Sequence, residues 1–98
     1  MDNIINLEFE KTITNLAGNR MGNQVYKEKI ASKINTNINN IVIFPAVIED
    51  IASSFIEGIY KELGEQYGKK EAVNIMTLKA ENVEADNKIK ESIETFGV

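Results

Sequence analysis

Residues 41–58 read IVIFPAVIEDIASSFIEG and set the architecture of this chain. Residues 41–44 are β-branched or aromatic throughout, which is typical of a central strand buried on both faces of a sheet. Pro45 has no amide hydrogen to donate, so regular strand pairing is predicted to end there. A short connector over residues 47–51 then leads into a helix.

That helix carries apolar residues on one face and charged residues on the other. Gly58 lies inside it, where glycine costs about 1 kcal/mol relative to alanine, so we expect a neighbouring backbone to pack closely against this position. The helix is predicted to end at Gly64 or Gly68. Tyr60 falls on the apolar face and is interpreted as a core residue. The whole apolar stripe consists of Phe55, Ile56, Ile59, Tyr60 and Leu63.

Two elements are predicted before this segment. In residues 4–10, apolar residues alternate with polar ones at Ile5, Leu7 and Phe9. Such alternation predicts a strand near a sheet edge or with one solvent-exposed side, and an antiparallel or hairpin arrangement is open to it. A break is predicted over residues 19–23, followed by an amphipathic helix over residues 25–34 that covers one face of the sheet.

Two elements are also predicted after it. Residues 72–78 indicate a further strand, and Asp86 is predicted to cap a final helix that stops at Gly97. The apolar residues that recur at helical spacing in this helix are Ile89, Ile93 and Phe96. The resulting order β-α-β-α-β-α predicts a single α/β domain over residues 1–98, with helices packed on a small, mostly parallel or mixed sheet.

The composition argues against catalysis. The 98 residues include no cysteine, histidine or tryptophan, which excludes disulfides, thiol nucleophiles, Cys/His zinc sites and imidazole acid–base chemistry. Glu49 and Asp50 are adjacent and rarely converge on one ion, so they are interpreted as a solvated connector beside a helix N-terminus. Residues 64–70 resemble a phosphate-binding loop, but three residues instead of four separate the glycines and the segment follows a helix. We expect no enzyme activity, cofactor or metal.

The charge balance argues against nucleic acid as a partner. Eleven basic residues, of which Arg20 is the one arginine, stand against fifteen acidic ones, for a net charge of −4. Binding to a duplex needs clustered cations, and the densest basic spot, at residues 69–70, is followed at once by Glu71. The N-terminus lacks a secretory signal pattern and no apolar run is long enough to span a bilayer. We therefore expect a cytoplasmic protein with no membrane association, able to bind a basic surface on another protein.

Ser53 and Ser54 are the remaining chemical signal. They are predicted to lie at the start of a helix, beside unpaired amide hydrogens and the positive end of the helix dipole. One interpretation is that a serine caps the helix, and the other is that this position accepts or binds a phosphate. A phosphoserine brings a charge of roughly −1.5 to −2, which favours the helix terminus and disrupts an acidic docking surface beside it.

The segment over residues 41–58 resembles the STAS-like domain family of unknown function, which is itself similar to the STAS domains of bacterial anti-sigma-factor antagonists. The resemblance extends over about residues 25–98. In the antagonists a strand leads into Asp-Ser-Ser-Gly at a helix N-terminus, and a partner ATPase of the histidine-kinase type phosphorylates the second serine. Ser54 matches that phospho-acceptor and Ser53 the serine before it, while Ala52 stands in place of the aspartate and Phe55 in place of the glycine.

The resemblance implies a small, non-catalytic regulatory module that binds another protein, with a histidine-kinase-like ATPase as the candidate partner. Its predicted binding surface comprises Glu49, Asp50, Ala52 and Glu57, with Ser54 and Ser53 as candidate phospho-acceptors. Two alternatives stay open on the residues alone. One is an accessory protein of a phage or mobile element that inhibits another protein by binding it. The other is a small-ligand or nucleotide binder that uses the amides at the helix N-terminus.

Overall fold

The computed structural model describes residues 1–96, without the side chain of Phe96. The predicted stop at Gly97 and the apolar role of the Phe96 side chain lie outside these residues. In chain order the elements are β1 (Asn3–Asn6), β2 (Asn15–Leu16), α1 (Asn19–Val25), β3 (Asn40–Phe44), β4 (Asp50–Ile51), α2 (Ser53–Tyr67), α3 (Lys69–Ile75), β5 (Met76–Ala80) and α4 (Val83–Phe96).

The strands form two parallel sheets. The larger has the order β1-β3-β5, and the smaller pairs β2 with β4. The predicted α/β class, with helices packed on a small parallel sheet, is confirmed, and β1 lies at a sheet edge as expected. Its pairing is parallel, so the antiparallel and hairpin arrangements are wrong. The segment predicted as a connector contains β4, which is only two residues long.

β3 is the central strand, as predicted, and it ends at Phe44, immediately before Pro45. Val42 and Phe44 are completely buried on the face that packs against the helices. The prediction that both faces are buried is wrong, because Ile41 and Ile43 on the other face are only half-buried. Their register partners on β1 are exposed, so this face is covered incompletely.

The helix before β3 begins earlier than predicted. Residues 19–23 form the start of α1 and not a break, and Gly22 is buried against α2. The strained backbone lies one position before the helix, at Gly18, whose φ of 93° favours glycine. After Val25 the helix continues as a π-helical turn over Tyr26–Ile30 and a 3₁₀ turn over Ala31–Lys33.

The strand predicted over residues 72–78 is partly wrong. Its first half belongs to α3, and β5 begins only at Met76. Ala72 and Ile75 are three residues apart and both are buried, whereas Asn74 between them is exposed. This spacing is helical, but a short apolar run does not by itself distinguish a buried strand from a buried helix turn.

The final helix begins at Val83, so Asp86 is not its cap. The side chain of Asn82 takes that role, because its Oδ1 accepts a hydrogen bond from the Ala85 amide at 3.1 Å. The Asp86 carboxylate instead accepts from the Ala80 amide at 3.0 Å and lies 3.2 Å from Lys90 Nζ. Burial alone would raise the pKa of Asp86, but these two partners lower it below its ordinary value. Asp86 therefore fastens α4 to β5.

α2 lies at the centre of the helical layer and contacts α1, α3 and α4. Its predicted apolar stripe is confirmed, since all five residues are buried. Of the two predicted ends, Gly68 is the correct one, and Gly64 lies inside the helix. Phe55 meets the ring of Phe44 edge to face, with the centroids 6.0 Å apart. The helix is thereby anchored on the central strand.

Tyr60 joins α2 to the start of β5. Its hydroxyl donates a hydrogen bond of 2.6 Å to the carbonyl of Met76, and burial raises the pKa of this phenol above its ordinary value. Tyr60→Phe is expected to lower the free energy of unfolding by about 1–2 kcal/mol, because the buried carbonyl loses its donor. Tyr67→Phe is the control, since Tyr67 is exposed. Equal urea midpoints for the two variants would contradict the assignment.

Candidate functional site

The site predicted at the start of α2 is a helix terminus without a side-chain cap. Ala52 is the last extended residue, and its amide donates a 2.8 Å hydrogen bond to the Leu16 carbonyl. That bond continues the pairing of β2 with β4 and fixes where the chain turns into the helix. Among the described residues, no side chain accepts a hydrogen bond from the first-turn amides of α2. The Phe55 and Ile56 amides already donate to the Ala52 carbonyl, at 3.0 and 3.3 Å. The amides of Ser53 and Ser54 are therefore the ones that an outside acceptor could meet at the positive end of the helix dipole.

The two serines have different surroundings. Ser54 is half-buried, and its Oγ accepts a 3.0 Å hydrogen bond from the amide of Gly18, the residue before α1. Ser53 is exposed to solvent. The capping interpretation of these serines is wrong, since Ser54 ties α2 to the start of α1 and Ser53 caps nothing in the described chain. The more accessible hydroxyl of the pair is that of Ser53.

Ser53 lies in a shallow polar groove of about 330 Å³ between the start of α2 and one face of α4. Two residues of the predicted binding surface, Ala52 and Glu57, line the same groove as this candidate phospho-acceptor. The α4 residues that complete it are Lys88, Glu91, Ser92 and Thr95. The groove carries both charges and hydroxyl groups, which suits a polar partner group better than an apolar ligand.

One of the predicted carboxylates, Asp50, borders this groove through an ion pair with Lys88. Asp50 Oδ1 is 3.5 Å from Lys88 Nζ, and both side chains are about half-exposed. Such an exposed ion pair contributes at most about 1 kcal/mol, so a competing anion can replace Asp50. Glu49 is also exposed, and its amide donates a 2.7 Å hydrogen bond to the Thr14 carbonyl. Both carboxylates are exposed, as expected, but Asp50 belongs to β4 and only Glu49 lies in the connector before it.

The structure thus brings Ser53, Ala52 and Glu57 together, places Asp50 at their border and turns Ser54 towards α1. Sequence reasoning missed the contribution of α4. A signal was present, because residues 88, 91, 92 and 95 recur at the spacing of one helix face. The apolar residues Ile89 and Ile93 indicated the helix, but its polar stripe was not matched to the start of α2.

Within residues 1–96, no group of three or more acidic, cysteine or histidine side chains could hold a metal ion. None of the helices in that part of the chain has the length and apolar character needed to cross a bilayer. No family model, curated protein or solved structure gives a significant match to this chain.

Proposed function

We propose that this chain is a small regulatory module that binds another protein in the bacterial cytoplasm. Its docking surface is the groove between α2 and α4, which is lined by the exposed Ser53. The observation that carries the proposal is an accessible hydroxyl at an uncapped helix N-terminus, bordered by Lys88. The resemblance to anti-sigma-factor antagonists supports the same class of function and a histidine-kinase-like ATPase as partner.

A phosphate at Ser53 would act as a switch on this surface. It would add a charge of roughly −1.5 to −2 near the first amides of α2 and the ammonium group of Lys88, both of which stabilise an anion. It would also compete with Asp50 for Lys88, whose present ion pair is exposed and weak. The groove would change from mixed charge to strongly acidic, so a partner that meets Lys88 with its own acidic groups would be repelled.

A phosphate at Ser54 would act differently. Its Oγ already accepts the Gly18 amide, so the phosphoryl group would have to fit against the start of α1. A kinase could therefore reach the Ser54 hydroxyl only when its contact with the Gly18 amide opens. The exposed Ser53 hydroxyl needs no such opening. The proposal accordingly assigns the phosphate to Ser53 and a structural contact to Ser54.

Site-specific photo-cross-linking tests the docking surface. A benzophenone amino acid is placed at Ser53, and a matched variant carries it at Asn37, which is also exposed but precedes β3 at the opposite end of the sheet. We expect a covalent adduct with an ATPase partner in the native host from position 53 only. Equal adducts from both positions, or none from position 53, would reject this surface.

Mass spectrometry of the protein recovered from its host tests the switch. We expect a mass increase of one phosphate group that disappears in Ser53→Ala and persists in Ser54→Ala. Loss in Ser54→Ala alone would transfer the acceptor role to Ser54 and refute the assignment above. A protein that binds its partner but is never phosphorylated would refute the switch while leaving the binding module in place.

A further inference from the structure

A second surface, which is lined in part by α1 and is separate from the groove at Ser53, has the features of a peptide-binding cleft. It lies between residues 7–14, which connect β1 to β2, and the exposed side of α1 with its π-helical turn. The cleft has a volume of about 680 Å³, within the usual range of roughly 300–1,000 Å³ for binding pockets. We call it the acidic cleft, and it is lined by Glu8, Phe9, Glu10, Ile13, Met21, Gln24, Val25, Glu28 and Lys29.

The floor of the acidic cleft is apolar and firmly supported. Phe9, Ile13 and Met21 are half-buried and pack on the main core, to which Val25 belongs. The ring of Phe9 is stacked on that of Phe44, with centroids 6.3 Å apart and planes within 9°. The floor is therefore supported by the core, and an apolar side chain placed on it would be removed from water.

The rim of the acidic cleft is negatively charged. Glu8, Glu10 and Glu28 are exposed, and within residues 1–96 none of the three forms an ion pair with a lysine or arginine. Lys29 is the one cation among the lining residues. Its Nζ donates to the Glu8 carbonyl at 3.1 Å and lies 5.2 Å from the centre of the Phe9 ring. Lys11 belongs to the same connecting segment but does not line the cleft.

Lys29 indicates what kind of group suits this surface. The protein's own ammonium group is held there by an aromatic face and a backbone oxygen, so the surface accommodates a cation. Because Lys29 keeps those two contacts, an incoming lysine or arginine would meet the carboxylates of the rim. Both Glu28 and Lys29 belong to the π-helical turn, a distortion that recurs at functional sites. With three carboxylates against one ammonium, the cleft has an excess of two negative charges for a cationic partner.

We infer that the acidic cleft binds a basic peptide segment of another protein, in which an apolar side chain occupies the floor and flanking lysines or arginines meet the rim. Charge complementarity selects this occupant over a second copy of the chain, whose net charge is −4. The inference does not rest on the proposed function, because the cleft shares no lining residue with the groove at Ser53.

Fluorescence anisotropy with a labelled synthetic peptide tests the inference. In the probe, lysines alternate with leucines. One control peptide has glycines in place of the leucines, and another has glutamates in place of the lysines. We expect the full-length protein to bind the lysine–leucine peptide at low ionic strength and neither control. Binding of the lysine–glycine peptide with equal affinity would show that the floor is not used and would overturn the proposal, as would no binding at all.

A pair of matched triple variants locates the site. Glu8→Gln, Glu10→Gln and Glu28→Gln together are expected to weaken binding about tenfold, as the loss of three exposed charge pairs predicts. The control combines Glu71→Gln, Glu81→Gln and Glu84→Gln, which change the net charge equally at exposed positions away from the cleft. If both triple variants weakened peptide binding equally, the effect would be due to net charge alone. The acidic cleft would then not be the binding site.

One further variant tests the apolar floor of the acidic cleft and whether a second copy of the chain occupies it. Met21→Gln keeps the length of the side chain and is expected to weaken peptide binding several-fold, with no change in the circular dichroism spectrum. Analytical ultracentrifugation of the protein without peptide tests whether a second copy of the chain occupies the cleft instead. A dimer that dissociates on Met21→Gln would assign the cleft to a second copy and overturn the peptide proposal.

Discussion

Gly58→Ala is expected to lower the free energy of unfolding by about 3 kcal/mol. At this position α2 crosses the start of α1, and an added Cβ would lie 2.7 Å from the carbonyl carbon and 2.8 Å from the Cα of Asn19. Both are backbone atoms, which cannot turn aside as a side chain can, so the two helices would have to separate. A domain of this size has only about 5–15 kcal/mol of stability, so the loss is severe.

The same crossing is tested from its other side by Gly22→Ala. A Cβ there would lie 2.8 Å from the Ile59 amide nitrogen and 3.1 Å from the Gly58 carbonyl carbon, so a similar loss is expected. Gly64→Ala is the matched control within α2, because an added Cβ meets nothing within 4 Å. It is expected to raise stability by up to about 1 kcal/mol through helix propensity. Urea denaturation followed by circular dichroism measures all three, and stabilisation by Gly58→Ala would contradict the close crossing.

The crossing of α1 and α2 could be predicted only in part from the sequence. The position of Gly58 inside an amphipathic helix correctly predicted a close approach of another backbone. Its partner, Gly22, was misassigned to a break, because a glycine among asparagines is equally typical of a turn. Only the contact between the two helices distinguishes the roles, since each glycine is required by a residue far away in the chain.

The position of the candidate site in the chain was predictable from the sequence, but the surroundings of its two serine side chains were not. A strand ending at Pro45 and the polar residues that follow indicated that Ser53 and Ser54 start a helix. Their separate environments depend on Gly18 and on the part of α4 from Lys88 onward, which lie more than thirty residues away in either direction. The pairing of β2 with β4 involves two residues on each strand and has no periodic signature. Long-range contacts of this kind are absent from local patterns.

Asn40 provides the second test with a large expected effect. It is completely buried at the start of the central strand, and its side-chain amide is fully bonded. Oδ1 accepts from Asn3 Nδ2 at 2.7 Å and from the Asn35 amide at 3.0 Å. Nδ2 faces the carbonyl oxygens of Asn35, Ile38 and Ile75 at 2.8, 3.1 and 3.0 Å. One side chain therefore joins β1, the segment before β3 and the end of α3.

Asn40→Asp keeps the shape of this side chain but replaces its donor with a second acceptor. The new carboxylate would face three carbonyl oxygens in a buried position, with no cation among its contacts. We expect a loss of about 4 kcal/mol at neutral pH, in the range found when a buried charge is left unpaired. Asn39→Asp is the matched control, because the neighbouring Asn39 is half-buried and its Oδ1 already acts as an acceptor, for the Thr77 hydroxyl at 3.3 Å.

The pH dependence separates this mechanism from a general packing defect. Burial beside carbonyl oxygens raises the pKa of the new carboxyl in the folded state above its ordinary value near ~4. The folded protein then binds more protons than the unfolded chain between the two pKa values, so stability falls as the pH rises through that interval. Relative to the unsubstituted protein, Asn40→Asp should be least destabilised at low pH, where a protonated carboxyl again donates to a carbonyl oxygen. Asn39→Asp should show no such trend, and a destabilisation by Asn40→Asp that is independent of pH would refute the role of the Asn40 amide as a donor.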